Sequence, residues 1–66
     1  MKWDVVLERN PGTGMWIAEV PGVPGCYTQG SDREEALRNV REVLRLLRET
    51  DGLPAPPHVE LASVEA

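Results

Sequence analysis

One amphipathic helix is the feature that most constrains how this chain can fold. Between Asp32 and Asp51 apolar residues recur at i, i+3 and i+4 spacing, which is typical of a helix with one buried side. These residues are Ala36, Leu37, Val40, Val43, Leu44 and Leu47. Asp32 is suited to cap the first turn with Glu35 as its capping-box partner, and Gly52 is suited to end the helix. We predict one helix, which can cover only one face of a sheet.

Four other segments have strand character. Alternating apolar and polar residues predict strands over 2–8, 15–20, 26–30 and 59–64, with the weakest alternation in the last. Turn formers at 9–14 predict an antiparallel hairpin between the first two strands. The order βββαβ then predicts a two-layer α+β sandwich with the helix on one face. If the helix returns the chain across the sheet, strand four lies parallel beside strand one and the sheet order is 3-2-1-4.

Prolines define the two other connections. Residues 21–25 (Pro-Gly-Val-Pro-Gly) cannot form a central strand, because prolines lack the amide donors that a strand ladder needs. We predict a shaped connection between the second and third strands. Residues 53–57 are rich in proline and are expected to form a stiff, extended linker after the helix.

The small size of the chain predicts self-association. Its 66 residues are expected to form one domain, residues 1–66, with a small core and marginal stability. Cys26 is the single cysteine and His58 the single histidine, so we expect neither an internal disulfide nor a zinc site. We expect no metal or cofactor, and we expect further burial from a homodimer or higher oligomer.

The hydropathy of the sequence predicts where the protein works, and its charge predicts the class of partner it binds. No apolar run approaches the roughly 20 residues that span a bilayer, and the sequence enters its first strand pattern without a secretory signal. We therefore expect a cytoplasmic protein that does not contact a membrane. The net charge of −4 disfavours general phosphate binding and favours a basic protein as partner.

The residues from the second strand into the helix form a recognisable string. They read Trp-x-Ala-x-Val-Pro-x-x-Pro-Gly-Cys-x-x-Gln-Gly, followed by Ser-Asp-x-Glu-Glu-Ala and the amphipathic helix. This string resembles the core of the HicB-like antitoxin family, and the likeness extends over about residues 3 to 50. The matching positions are Trp16, Ala18, Pro21, Pro24, Gly25, Gln29, Gly30, Glu35 and Ala36. Asp32 stands where that family commonly has Thr or Ser, a change that a capping role tolerates.

The resemblance implies a fold and a function. The fold would be a degraded ribonuclease-H-like domain with the strand order 3-2-1-4. The chain would be the antitoxin of a toxin–antitoxin pair and would cover the active site of a small basic toxin of the HicA type. That toxin would be an RNA-cleaving protein with a double-stranded-RNA-binding fold and an active-site histidine. Many HicB-like proteins carry a C-terminal DNA-binding domain that does not fit in these 66 residues, so we expect no direct DNA binding.

The sheet face that the helix leaves uncovered is the first candidate contact surface. The inward set of the hairpin is Trp3, Val5, Leu7, Trp16, Ala18 and Val20. If these residues point to the helix, the alternate residues point away. Those outward residues are Asp4, Val6, Glu8, Met15, Ile17 and Glu19. Apolar side chains rimmed by carboxylates are typical of a protein contact surface, and the alternative is an ordinary solvated sheet face. The surface could serve the toxin or a second copy of the chain.

The helix offers a second candidate surface. Several arginines align along one side of it and could contact the phosphates of RNA. They are Arg38, Arg41, Arg45 and Arg48. The spacing also predicts i, i+4 ion pairs of Arg38 with Glu34 and Glu42, so a solvated, paired helix face is the competing interpretation. Leu46 lies off the buried stripe and is a candidate partner contact.

A residual nuclease activity is the remaining alternative. In an active ribonuclease-H fold the first strand carries a metal-binding aspartate, and Asp4 could stand in that place. Two-metal chemistry needs several converging carboxylates, whereas Glu35 is better used as a cap partner and Glu60 lies on the weakest strand. Cys26 is expected to be a small buried residue and His58 an exposed one. We expect a binding protein and not an enzyme.

Overall fold

The computed structural model describes residues 2–66, so Met1 of the expected domain lies outside the described residues. These residues form three strands, β1 (Val6–Arg9), β2 (Trp16–Glu19) and β3 (Tyr27–Gly30), and one helix, α1 (Arg33–Thr50). The strands pair antiparallel in the order β1-β2-β3, and α1 packs mainly on β3 and then on β2. The prediction of a small α+β domain with one helix on one face is confirmed.

The structure does not contain the predicted fourth strand. Residues 59–64 form no ladder with another segment of residues 2–66, and Leu61 and Val64 are 85% and 91% exposed. The sheet therefore has three strands, and the place beside β1 in the predicted order 3-2-1-4 is open. The physical reason is the pattern of the segment. Its apolar residues fall on both faces of an extended chain, so no register buries them all against one layer.

Two consecutive turns build the connection between β2 and β3. Val23 donates its backbone N–H to the carbonyl of Val20 at 3.3 Å, and Cys26 donates to the carbonyl of Val23 at 3.1 Å. Proline takes the second place of each turn and glycine the third, with φ of 84° at Gly22 and 77° at Gly25. A type II turn requires this positive φ, which glycine adopts without strain. The shaped connection predicted from the prolines is confirmed.

Local hydrogen bonds fix both ends of α1. The Asp32 side chain accepts from the backbone N–H of Glu35 at 2.7 Å, and the Glu35 carboxylate accepts from the N–H of Ser31 at 2.8 Å. The first bond satisfies an amide donor that the first turn leaves free, and the second satisfies the amide of the residue before the N-cap. After the last turn, Gly52 adopts a φ of 75°, the left-handed conformation that commonly ends a helix. Asp32 and Gly52 therefore have the predicted roles, whereas Glu35 accepts from the amide of Ser31 and not from that of the N-cap residue Asp32.

The core lies between α1 and the sheet. Its buried members are Ala18, Val20, Val23, Cys26, Ala36 and Val40. Trp3, Val5 and Leu7 pack against them from the β1 side and remain half-buried, as does Trp16. The predicted inward set is therefore confirmed. Because α1 lies over β3 and β2, the residues at the β1 side receive less cover from the helix.

Gly30 allows α1 to approach β3 closely. A Cβ atom at this position would lie 2.5 Å from the backbone nitrogen of Ala36 and 2.9 Å from the carbonyl carbon of Glu35. Since main-chain atoms of the helix cannot move aside alone, we expect Gly30→Ala to lower the free energy of unfolding by about 1–3 kcal/mol, as overpacking does. Urea denaturation measures the change. Gly12→Ala in the hairpin turn is the control, and an equal loss in both variants would contradict the steric argument.

Candidate protein-contact surface

The sheet face opposite α1, which we call the outer face, is built from two cross-strand rows. Ile17 on β2 pairs with Glu8 on β1 and with Gln29 on β3. Glu19 on β2 pairs in the same way with Val6 and Tyr27. Directly paired residues project to the same face, with Cβ atoms about 5 Å apart. Ala18 on β2 lies in the core and Gly30 on β3 lies against α1, so these two rows face away from the helix.

The outer face has an apolar centre and a polar rim. Ile17 is 36% exposed and Tyr27 is 66% exposed, and Val6 is half-buried beside them. Glu8 and Glu19 are exposed and bring two carboxylates to the same rows. An apolar centre surrounded by polar groups is the arrangement found in protein–protein interfaces.

A shallow hollow lies at one end of the outer face. It has a volume of about 340 Å³ and is lined by Glu19, Tyr27 and the β2–β3 connection, residues 20–26. The two turns of the connection hold its wall in place through three backbone hydrogen bonds, including one from the Val20 N–H to the Cys26 carbonyl at 2.9 Å. The hollow can receive one side chain of a partner, and the Glu19 carboxylate beside it favours a cationic one.

The structure brings some of the predicted contact residues together and separates others. The outer face contains Val6, Glu8, Ile17 and Glu19, as predicted. Asp4 is exposed and precedes β1, and Met15 is half-buried and precedes β2. Leu46 is 49% exposed but lies on α1, which covers the opposite face of the sheet. Leu46 therefore cannot belong to the same contact surface.

Tyr27 and Gln29 complete the outer face and were not predicted as contact residues. The signal was present in the third strand: Cys26 was expected to be buried, and period-two alternation from it places Tyr27 and Gln29 outward. Cys26 and Gly30 are both buried in the structure. Tyrosine is among the residues most enriched at interface centres, because it combines a large apolar ring with a hydroxyl group.

The helix arginines form different ion pairs from those predicted. Arg45 donates to the Glu42 carboxylate and, at 3.0 Å, to that of Glu49. The hydrogen bond from Arg45 lowers the pKa of Glu42, and both glutamates raise the pKa of Arg45. The predicted pairs of Arg38 with Glu34 and Glu42 are wrong: within residues 2–66, neither is among the ion pairs. Exposed pairs of this kind contribute little to stability, so several arrangements compete.

A second surface feature lies between the last turns of α1 and the start of the chain. We call it the arginine groove. It has a volume of about 490 Å³, and its lining consists of Trp3, Leu44 and Leu53 with Arg41, Arg45 and Arg48. The apolar residues pack against the core and remain half-buried. The groove thus combines an apolar floor with a basic rim.

The remaining candidate residues are not gathered into a metal site. No three His, Cys, Asp or Glu side chains of residues 2–66 lie close enough together to hold a metal ion. Asp4 is exposed, and Glu35 serves the helix cap. His58 is exposed as predicted, with its Nε2 atom 2.8 Å from the Glu60 carboxylate. α1, the one helix of residues 2–66, is too polar to cross a membrane.

We expect Cys26 to be protected from thiol reagents in the folded protein. Its side chain is 1% exposed, and burial raises the pKa of its thiol, so access and thiolate fraction are both low. The folded state binds the thiol proton of Cys26 more tightly than the unfolded state does. The resulting contribution to the free energy of unfolding is therefore complete below the pKa of an unfolded thiol, about 8.5, and declines as the pH rises above it. Modification by an aromatic disulfide reagent should be about a hundredfold slower in native buffer than in denaturant. Equal rates would contradict the buried position.

Comparison with known proteins finds relatives of similar size. The chain matches no protein-family model, and no solved structure matches it. It is similar to UPF0150 proteins of Thermoplasma acidophilum, 40% identical over 45 residues, and Thermotoga maritima, 43% identical over 47 residues. These matches cover 68% and 71% of this chain and 64% and 63% of the relatives, slightly less than two thirds of their length. A UPF0150 protein of Archaeoglobus fulgidus is 35% identical over 49 residues, which cover 74% of this chain and 70% of the relative.

Proposed function

This chain belongs to the UPF0150 family, and we propose that it is a HicB-like antitoxin domain. It neutralises a small basic RNA-cleaving toxin of the HicA type by binding over the toxin's active site. It works in the cytoplasm as a binding protein and not as an enzyme. The names of its relatives state the family and no activity, so the proposal stands on the residues of this chain and on their resemblance to the HicB-like core.

The observation that carries the proposal is the composition of the outer face, which has an apolar centre and an acidic rim. Ile17 and Tyr27 are exposed apolar residues on adjacent strands, and Glu8 and Glu19 bring carboxylates beside them. Burial of this face against another protein would remove its apolar surface from water, which lowers the free energy of the complex. The hollow beside Glu19 gives the face a recess in addition to its apolar centre.

Charge supports a basic partner for this face. Outside residues 32–51 the acids outnumber the bases: the acids are Asp4, Glu8, Glu19, Glu60 and Glu65, and the bases are Lys2 and Arg9. Three of these carboxylates lie on or beside the outer face. Long-range attraction would guide a cationic toxin to the face, and the apolar centre would then hold it. A basic side chain of the toxin would enter the hollow next to Glu19.

The ribonuclease-H-like arrangement belongs to the same proposal. β1 is an edge strand, so its outer backbone groups are free to pair with a further strand. A strand laid parallel to β1 would complete the order 3-2-1-4. Because residues 59–64 form no ladder in the described chain, we propose that this place is filled only when another chain supplies the strand.

The direct test is inhibition of toxin cleavage. A HicA-type toxin, with the product of the neighbouring open reading frame as first choice, is titrated with this protein in an RNA cleavage assay. We expect cleavage to stop near a one-to-one ratio, because an occluding partner acts stoichiometrically. The chain alone, with Mg²⁺ or Mn²⁺, should leave RNA intact. Undiminished toxin activity at a tenfold excess of this protein would contradict the proposal.

A nucleic-acid-binding role is the second candidate, and one observation favours it. Three arginines line a single groove on α1, where phosphates could bind. Against this role, Glu42 and Glu49 already bind Arg45. A steep fall of RNA affinity with salt would favour the RNA-binding role. RNA cleavage that disappears in Asp4→Asn would instead favour a residual nuclease.

A further inference from the structure

The arginine groove has the features of a peptide-binding site. Its floor is apolar, with Trp3, Leu44 and Leu53, and none of these residues is fully buried. Arg41 and Arg48 lie on its rim, seven residues apart on α1, and neither forms an ion pair with another part of residues 2–66. A ligand that fits this groove would be apolar in the middle and acidic at both ends.

One segment of the chain has this composition. Residues 59–65 read Val-Glu-Leu-Ala-Ser-Val-Glu, so Leu61 and Val64 lie between Glu60 and Glu65. Leu61 is 85% exposed and Val64 is 91% exposed, the two most exposed large apolar residues of the described chain. Two such residues, only three positions apart, have no contact that removes them from water. Their exposure indicates a surface that docks elsewhere.

The dimensions of the segment and of the groove agree. Arg41 and Arg48 are about 10.5 Å apart along the helix axis, at 1.5 Å per residue. In the polyproline II conformation, which has three residues per turn and a rise of about 3.1 Å per residue, Leu61 and Val64 lie on the same side of the segment, about 9 Å apart. The two glutamates extend one residue beyond them on each side. The long, flexible arginine side chains cover the remaining distance to the carboxylates.

The segment cannot easily turn back into the groove of its own chain. Leu53 forms part of the groove wall, and the residues that follow it contain Pro54, Pro56 and Pro57, which keep a chain extended. Pro57 also lies against the β2–β3 connection, where a Cβ atom at Gly22 would be 2.8 Å from its ring. Residues 53–66 contain no glycine or asparagine to allow a tight reversal.

We propose that the arginine groove binds residues 59–65 of a second copy of this chain, so that two copies exchange these segments reciprocally. Leu61 and Val64 of one copy lie on the apolar floor of the other, and Glu60 and Glu65 contact Arg41 and Arg48. The exchange gives the additional burial that a chain of this size needs. It uses the helix side of the molecule and leaves the outer face free, so it goes beyond the proposed function and does not depend on it.

Complementary charge reversal tests the exchange. One variant carries Arg41→Glu and Arg48→Glu, and the other carries Glu60→Arg and Glu65→Arg. Each variant alone opposes like charges at both contacts, so we expect its dimer dissociation constant to rise by about a hundredfold relative to the parent. When the two variants are mixed, opposite charges face each other at both contacts. The mixture should therefore form a one-to-one heterodimer with close to parental affinity, measured by light scattering over a dilution series.

A variant with the same charge change outside the groove is the control. Arg33→Glu with Arg38→Glu makes the same charge change on α1 outside the groove lining and should dimerise like the parent. Circular dichroism verifies that every variant keeps its helix. A parent chain that stays monomeric, single variants that still dimerise, or a mixture that stays monomeric would each overturn the proposal. Loss of toxin inhibition with an intact dimer would contradict the proposed function alone.

Discussion

If a HicA-type toxin is the partner, as proposed, replacing Asp4, Glu8 and Glu19 with lysine is expected to slow its association by about ten- to a thousandfold at low ionic strength. These carboxylates are exposed and lie on or beside the outer face, so lysines in their place would repel a basic protein. The fold should survive, because exposed substitutions usually change stability by about 0.5 kcal/mol or less. Stopped-flow kinetics over a series of salt concentrations measures the effect, since salt screens long-range attraction.

Lysines at Glu34, Glu42 and Glu49 provide the matched control. This variant has the same net charge as the outer-face variant, but its lysines are exposed on α1. If the outer face docks the toxin, the helix variant keeps most of the association rate. Equal slowing in both variants would mean that only net charge matters. An outer-face variant that associates as fast as the parent would place the docking surface on the helix, around Leu46.

Features fixed by nearby residues could be predicted from the sequence. The helix ends depend on side chains within four residues, so Asp32, Glu35 and Gly52 identified them correctly. The two Pro-Gly pairs of the β2–β3 connection likewise determine their own turns. In each case the partner of the hydrogen bond lies close in the chain, and competing long-range contacts cannot change the outcome.

The pattern of inward and outward residues could also be predicted, because one helix covers one face. Period-two alternation placed Ile17 and Glu19 outward and Ala18 inward, as the structure has them. The same reasoning applied to the third strand would have found Tyr27. The cross-strand partners could not be predicted, since the hairpin turn is long and does not fix the register by its type. Pairing of Ile17 with Glu8 is therefore a finding of the structure.

Contacts that have several alternatives of nearly equal free energy could not be predicted. Arg45 has glutamates at both i−3 and i+4, and it binds both of them, whereas Arg38 forms neither predicted pair. Each such exposed pair contributes well under about 1 kcal/mol, so spacing alone does not select among them. In residues 59–64, likewise, the sequence alone does not decide whether a strand forms. Their apolar residues allow more than one face to be buried, and no partner strand in the described chain selects one.

Ile17→Asp is expected to raise the dissociation rate of the toxin complex by about thirtyfold or more, as truncation of an interface hot spot of about 2 kcal/mol does. Ile17 lies on the central strand of the sheet, between Glu8 and Gln29. A carboxylate at the centre of the interface would be removed from water without a cationic partner, and it would lie next to the like charge of Glu8. Surface-based binding kinetics should show the change mainly in the dissociation phase, because short-range contacts act after encounter.

Leu46→Asp is the matched control, because it replaces another partly exposed aliphatic residue with the same charge on the opposite side of the molecule. It should leave the dissociation rate within about twofold of the parent, as expected for a surface substitution outside an interface. Ile17→Thr, which keeps a β-branched side chain without the charge, should raise the rate by a smaller factor than Ile17→Asp. If Leu46→Asp accelerates dissociation and Ile17→Asp does not, the apolar contact with the toxin lies on α1 and the outer face has another role.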